Sequence, residues 1–141
     1  MMGETRPAST GGCLCGGVRY EVRGALRPVI MCHCTQCRRV TGHFMAATAA
    51  RHRDFQLVSA GELKWYRSSP EARRGFCGRC GSTLFWEGVG RDYLSIAAGS
   101  LDDSSGLGIA GHIFVADKGA YYDISDSAPQ VKDGTFTVPW S

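Results

Sequence analysis

FCGRCG, residues 76–81, decides how this chain folds. Gly78 and Gly81 permit the tight turn that brings the thiolates of Cys77 and Cys80 onto one cation. A chelating pair of this kind needs a second pair to complete a tetrahedral shell. CLC, residues 13–15, can supply it, because residues i and i+2 of a strand share a face and Cys13 and Cys15 can both point at one ion. Four thiolates close the shell, which is the mark of structural zinc. Cys13, Cys15, Cys77 and Cys80 are therefore expected to fasten the start of the ordered chain to its middle. Such thiols gather only in the folded state, so the free energy of metal binding becomes free energy of folding.

The other cysteines, Cys32, Cys34 and Cys37, crowd into CHCTQC, residues 32–37. They can form one triangular face on a second ion, with no cysteine left to close the shell. An open coordination position is what a catalytic zinc requires. Three thiolates on a divalent ion leave a net charge of about −1, a weaker Lewis acid than zinc on three neutral histidines, so an incoming thiol suits this site better than water activation. Amide groups at the start of a helical turn after Cys34 are expected to keep Cys37 ionised. A rival partition joins Cys34 and Cys37 to Cys77 and Cys80 as CxxC…CxxC, although the gap is about twice the usual roughly 15 to 20 residues.

Seven cysteines in 141 residues cannot all pair in disulfides within the chain. The N-terminal stretch MMGETRPASTGG has no apolar signal region, and no apolar run approaches the length of a membrane span. A reducing, cytoplasmic setting and metal ligation are the expectation. The formal net charge of +3, without any block of like charges, gives nucleic-acid or membrane binding little support from charge alone.

Around the cysteines the chain reads as mainly β, with little helix. Val18, Tyr20 and Val22 alternate with Arg19, Glu21 and Arg23, the pattern of a half-buried strand. Further strands are expected over residues 44–48, 55–58 and 63–66, and a hairpin over 83–97 turning at 88–92. Residues 101–111 read as a Gly- and Ser-rich loop, and residues 1–11 as a flexible arm before a single domain over 12–141.

Four segments, in order, carry a family resemblance: GGCLCGGVRYE (11–21), CHCTQCRRVTG (32–42), RGFCGRCGSTLFWE (74–87) and HIFVADKGAYYDI (112–124). They resemble the glutathione-dependent formaldehyde-activating enzyme and centromere protein V family, over about Gly11 to Val131. The resemblance implies a zinc-bound β fold similar to the Mss4-like folds, made of short antiparallel sheets. It also implies two zinc ions, a structural one on Cys13, Cys15, Cys77 and Cys80 and a catalytic one on Cys32, Cys34 and Cys37. The namesake enzymes are carbon–sulfur lyases that condense glutathione with formaldehyde to S-hydroxymethylglutathione. A glutathione-like thiol and an aldehyde are thus the expected small-molecule partners.

The proton donor such a reaction needs is sought among His33, Thr41 and His43. His33, between two ligands in an extended segment, should face away from the metal, toward solvent or as support for the ligands. His112 opens a strand, either lining the pocket or satisfied in the core, and His52 reads as surface. Arg38, Arg39, Arg73, Arg74 and Arg79 either clamp ligand carboxylates or offset the thiolates from solvent. Trp65, Phe85, Trp86 and Tyr93 read as core packing. Lys118 has a place in the family pattern and no role that its chemistry assigns. Two other functions share these motifs: a non-catalytic zinc module that binds protein or nucleic acid, and a redox sensor in which CHCTQC oxidises with loss of metal.

Overall fold

The computed structural model describes residues 9–140. Among the described residues, ten strands, one α-helix and three short 3-10 turns follow one another. Strands β1 (Ser9–Gly12), β2 (Arg19–Val22) and β5 (Phe55–Ser59) form a three-stranded antiparallel sheet in the order β1-β2-β5. A seven-stranded sheet holds β3 (Val29–Cys32), β4 (Met45–Arg51), β6 (Leu63–Ser69), β7 (Ala72–Cys77), β8 (Thr83–Gly88), β9 (Tyr93–Ala97) and β10 (Ile109–Ile113). Its order is β10-β3-β4-β9-β8-β7-β6. Most of the arm expected over residues 1–11 lies outside the described residues; Ser9, Thr10 and Gly11 are strand.

The alternation at residues 18–22 does what the pattern asks. Val18, Tyr20 and Val22 are buried, with Tyr20 only 1% exposed, while Arg19 and Glu21 are half-buried. Tyr20 meets Phe85 edge-on at 5.6 Å, and Phe55 meets Phe85 edge-on at 5.4 Å, so an aromatic trio joins the small sheet to the large one. Ala50, Leu84, Leu94, Ile96 and Leu101 complete this core, and Cys13 and Cys77 belong to it. A second, smaller cluster groups Cys37, Met45 and Ala47 with Cys32, Cys34 and Ala97. Strand β4 serves both clusters, Ala50 packing in the first and Ala47 in the second.

Strand β7 was hidden by its Arg-Arg-Gly sequence. Gly75 explains why it pairs so closely: Trp65, Gly75 and Phe85 stand in register across β6, β7 and β8, and the two rings stack 6.0 Å apart over the glycine. A Cβ on Gly75 would meet Phe85 at 2.9 Å and Trp65 at 3.0 Å. Gly75→Ala is expected to cost about 1–3 kcal/mol by overpacking, read as a lower denaturant midpoint. An unchanged midpoint would contradict this packing.

Two further expectations change. Residues 109–113 are strand, not the end of a loop, so His112 stands within β10 and does not open a strand. Strand β10 also runs parallel to β3, alone among the strand pairs of the described residues. It reaches the sheet edge after a long excursion from β9, the kind of connection that parallel pairing requires. This pairing sets His112 beside Met31 and Ile113 beside Cys32, which places β10 against the CHCTQC segment.

Candidate metal centres

Cys13 and Cys15 lie in the turn between β1 and β2 and not on a strand face, so it is the turn and not the i, i+2 alternation that brings them together; Cys77 ends β7, and Cys80 lies in the tight turn before β8. The four Sγ atoms lie within 4.8 Å of one another. Cys13 Sγ is 3.6 Å from Cys15 Sγ, which is 3.7 Å from Cys77 Sγ. Zinc–sulfur bonds of about 2.3 Å in a tetrahedron put the sulfurs about 3.8 Å apart, so this quartet fits zinc. These separations are far beyond a disulfide bond of about 2.05 Å, and the cysteines are free thiols. Backbone amides converge on the sulfurs: Val18 N donates to Cys13 at 3.2 Å, and Arg79 N and Cys80 N both donate to Cys77 at 3.4 Å. The Ser82 hydroxyl, 3.2 Å from Cys80 Sγ, is the first of several hydrogen bonds that bring that thiol down to about 5.

The second group is Cys32 at the end of β3 with Cys34 and Cys37 around helix α1 (Thr35–Thr41). Their Sγ atoms also lie within 4.8 Å of one another, apart from the quartet, which disposes of the rival CxxC…CxxC partition. The helix exists because Cys34 caps it, its sulfur accepting from Cys37 N at 3.2 Å, and because Gly42 ends it at φ 88°. Thr41, a proton-donor candidate, spends its hydroxyl on the Cys37 and His43 carbonyls at 2.9 and 2.7 Å.

The amide at the helix start therefore favours Cys34 and not Cys37, contrary to the expectation from sequence. Hydrogen bonds from the Cys32 and Cys37 thiols, with the Cys37 amide, hold the Cys34 thiol at about 2. Cys32 is pushed up, first by Cys34. Cys37 also rises, because Cys34 and burial outweigh the lowering effect of Cys32. Three sulfurs this close resist sharing negative charge unless a cation joins them, which fits a metal site.

Arg74, only 5% exposed, is the cation already present. It donates to Gln36 Oε1 at 2.9 Å and to Cys37 Sγ at 3.5 Å, and its charge lowers both Cys34 and Cys37. It is neither solvated nor free to clamp a ligand. Arg73, on the opposite face of β7, lies over the Trp65 ring at 3.9 Å and pairs with Glu87 at 2.6 Å; Arg39 and Arg79 are exposed. Arg74→Met is expected to weaken metal at the three-thiolate site about 10- to 100-fold while sparing the quartet. Competition with a chromogenic chelator reads this, and unchanged affinity would contradict the role of Arg74.

His33 turns away from the sulfurs as expected but does not reach solvent: it is 1% exposed, and burial first of all brings its pKa down to about 4. Its Nδ1 lies 2.6 Å from Tyr122 Oη and its Nε2 2.9 Å from His112 Nδ1. His112 is a buried, satisfied histidine, 3% exposed. His43 is exposed against Tyr121 Oη at 2.5 Å, and His52 is exposed. Lys118 lies 4.8 Å from the centre of the Tyr122 ring and donates to the Tyr122 carbonyl. Phe85 is core, whereas Trp65, Trp86 and Tyr93 are half-buried.

The sequence pattern of a family described as glutathione-dependent formaldehyde-activating enzyme matches residues 8–117. The chain belongs to this family. Among solved structures, this formaldehyde-activating family member is similar to a Rhodobacter sphaeroides protein in a crystal structure, with 25% identity and a TM-score of 0.57. That likeness covers 86% of this chain and 99% of the other. The match includes all seven cysteines and ends before Tyr121, Tyr122 and Asp126. No helix among the described residues is long and apolar enough to cross a membrane.

Proposed function

We propose that the protein is a zinc-dependent carbon–sulfur lyase or synthase that forms or cleaves thiol–aldehyde adducts such as S-hydroxymethylglutathione. One observation carries this reading: three convergent sulfurs, Cys32, Cys34 and Cys37, with no fourth cysteine among them, stand apart from a complete quartet. Zinc on the three sulfurs would supply Lewis acidity that lowers the pKa of an incoming thiol and leaves it nucleophilic at neutral pH. Cys13, Cys15, Cys77 and Cys80 would hold a second zinc with a structural role alone.

The chain's own groups do the rest. Cys34 is fixed by its role as helix cap, and Arg74 offsets charge at Cys37. The rings of Phe44, His43, Tyr121 and Tyr122 pack on one another, Phe44 and Tyr122 also against His33. Arg38 has a buried Nε without a hydrogen-bond partner, and its charge reaches Tyr122. That guanidinium is placed to meet a carboxylate such as glutathione carries. Free thiols of this kind suit the cytoplasm.

Thiols and formaldehyde combine without a catalyst, so the test compares exchange rates between free glutathione and its formaldehyde adduct with and without protein. NMR exchange spectroscopy on zinc-loaded protein is expected to show acceleration that chelation removes. No acceleration with glutathione or any common thiol would overturn the reading.

A further inference from the structure

A cluster of charge lies apart from both sulfur groups. Arg67 of β6, Arg73 of β7 and Glu87 of β8 stand in register, two residues along each strand from the Trp65–Gly75–Phe85 row and therefore on the same face of the sheet. With His52 and Arg91 they line a cavity of about 230 Å³. Arg74, the next residue along β7, turns the other way and reaches Cys37, so the cavity and the three-thiolate site lie on opposite faces of that strand.

Two of its cations are held in place before any ligand arrives. Arg73 Nε donates to Glu87 Oε1 at 2.6 Å, and its guanidinium lies 3.9 Å from the centre of the Trp65 ring, which fixes the planar group. Arg91 Nη1 donates to Tyr93 Oη at 2.7 Å. Its stem lies close over residue 88, where a Cβ would meet Arg91 Cγ at 2.9 Å, so the glycine there makes room for it. His52 Nε2 is 3.6 Å from the second Glu87 oxygen.

The charges around the cavity do not balance. Three guanidiniums share one carboxylate, which leaves two positive charges unmatched before His52 is counted. Among the described residues, the Arg67 guanidinium has no ion-pair or hydrogen-bond partner, and neither do the two Nη groups of Arg73. Arg67 and Arg73 are moreover direct cross-strand partners, and like charges directly opposite one another destabilise a sheet. A dianion between them removes that repulsion and accepts from both guanidinium forks.

We propose that this cavity binds a phosphate dianion, free or as the monoester of a small molecule, with Arg67 and Arg73 as the clamp and Arg91 as the third cation. A dianion matches the two unmatched charges, whereas a single carboxylate leaves one over. Guanidinium forks meet phosphate oxygens two at a time, so arginines suit this ligand better than lysines would. The cavity is smaller than the roughly 300–1,000 Å³ of pockets that enclose drug-sized ligands, so it takes the phosphate group and little more. The site binds without reacting, and it stands whether or not the three thiolates catalyse anything.

The test is a ¹H–¹⁵N NMR titration of the zinc-loaded full chain that follows the arginine Nε–H signals at constant ionic strength. Inorganic phosphate, glycerol 3-phosphate and acetate are the separate probes. The Arg67 and Arg73 signals are expected to shift saturably with phosphate, with a dissociation constant of about 1 mM or tighter, and acetate should bind at least about tenfold more weakly. Tighter binding of glycerol 3-phosphate than of inorganic phosphate assigns the site to a monoester; equal or weaker binding assigns it to the free ion. Arg67 is exposed, so Arg67→Met should keep the fold and the zinc content while weakening phosphate binding at least about tenfold. In phosphate-free buffer that variant should melt no lower than the parent, because the like-charge pair is gone, and phosphate should raise the melting temperature of the parent alone. Arg73→Met should weaken binding as much, but it also loses the Trp65 stack, so Arg67→Met decides if that variant does not fold. No saturable shift at Arg67 and Arg73, acetate as tight as phosphate, or an Arg67→Met variant that binds phosphate as the parent does would overturn the site.

Discussion

Cys80→Ser is expected to yield chain that does not fold. Cys80 is the informative quartet member because it is half-buried, whereas Cys77 is fully buried in the main core and its loss would confound packing with metal. Structural zinc in small domains binds with an apparent 10–16 kcal/mol, roughly. A domain of this size has only about 5–15 kcal/mol of net stability. Three remaining thiolates cannot supply the closed shell, and residues 13–15 would no longer be tied to residues 77–80. Soluble yield, far-UV circular dichroism and zinc content check this. A soluble variant melting within a few degrees of the parent would mean that the quartet fastens nothing.

Cys37→Ser should behave in the opposite way. Cys37 is buried, but in the small second cluster with Met45 and Ala47 and outside the main aromatic core. The cap on α1 is the Cys34 sulfur, which the substitution leaves in place. The protein should stay folded, lose about one zinc per chain, and lose its acceleration of glutathione–formaldehyde exchange, by at least about a hundredfold if the metal polarises the thiol. Elemental analysis and exchange spectroscopy on one preparation decide it. Full activity at reduced metal content would remove the trio from the chemistry.

The contrast between these two variants was legible in the sequence, because thiolate chemistry leaves few ways to arrange CLC, CHCTQC and FCGRCG. Period-2 alternation at residues 18–22 likewise showed a strand whose inward face is buried in the structure. Strand β7 was not legible, since its arginines face different surroundings and its glycine serves a cross-strand stack that only register reveals. Nor was the role of Arg74 legible: nothing in a run of arginines tells which one turns inward to a sulfur. Tyr122 and Asp126 are distant in sequence from CHCTQC, and their link to it depends on β10 pairing with β3 in parallel. Long-range pairing of that kind leaves no local signature. His33 shows both sides, since its direction followed from strand geometry while its burial followed from partners that no spacing rule finds.

The most direct test is diffraction from native crystals grown without chelator, with data collected on both sides of the zinc absorption edge. Two anomalous peaks per chain are predicted, one enclosed by Cys13, Cys15, Cys77 and Cys80 and one held by Cys32, Cys34 and Cys37 with a non-protein fourth ligand. A single peak at the quartet, with the side chains of Cys32, Cys34 and Cys37 diverging, would contradict the account.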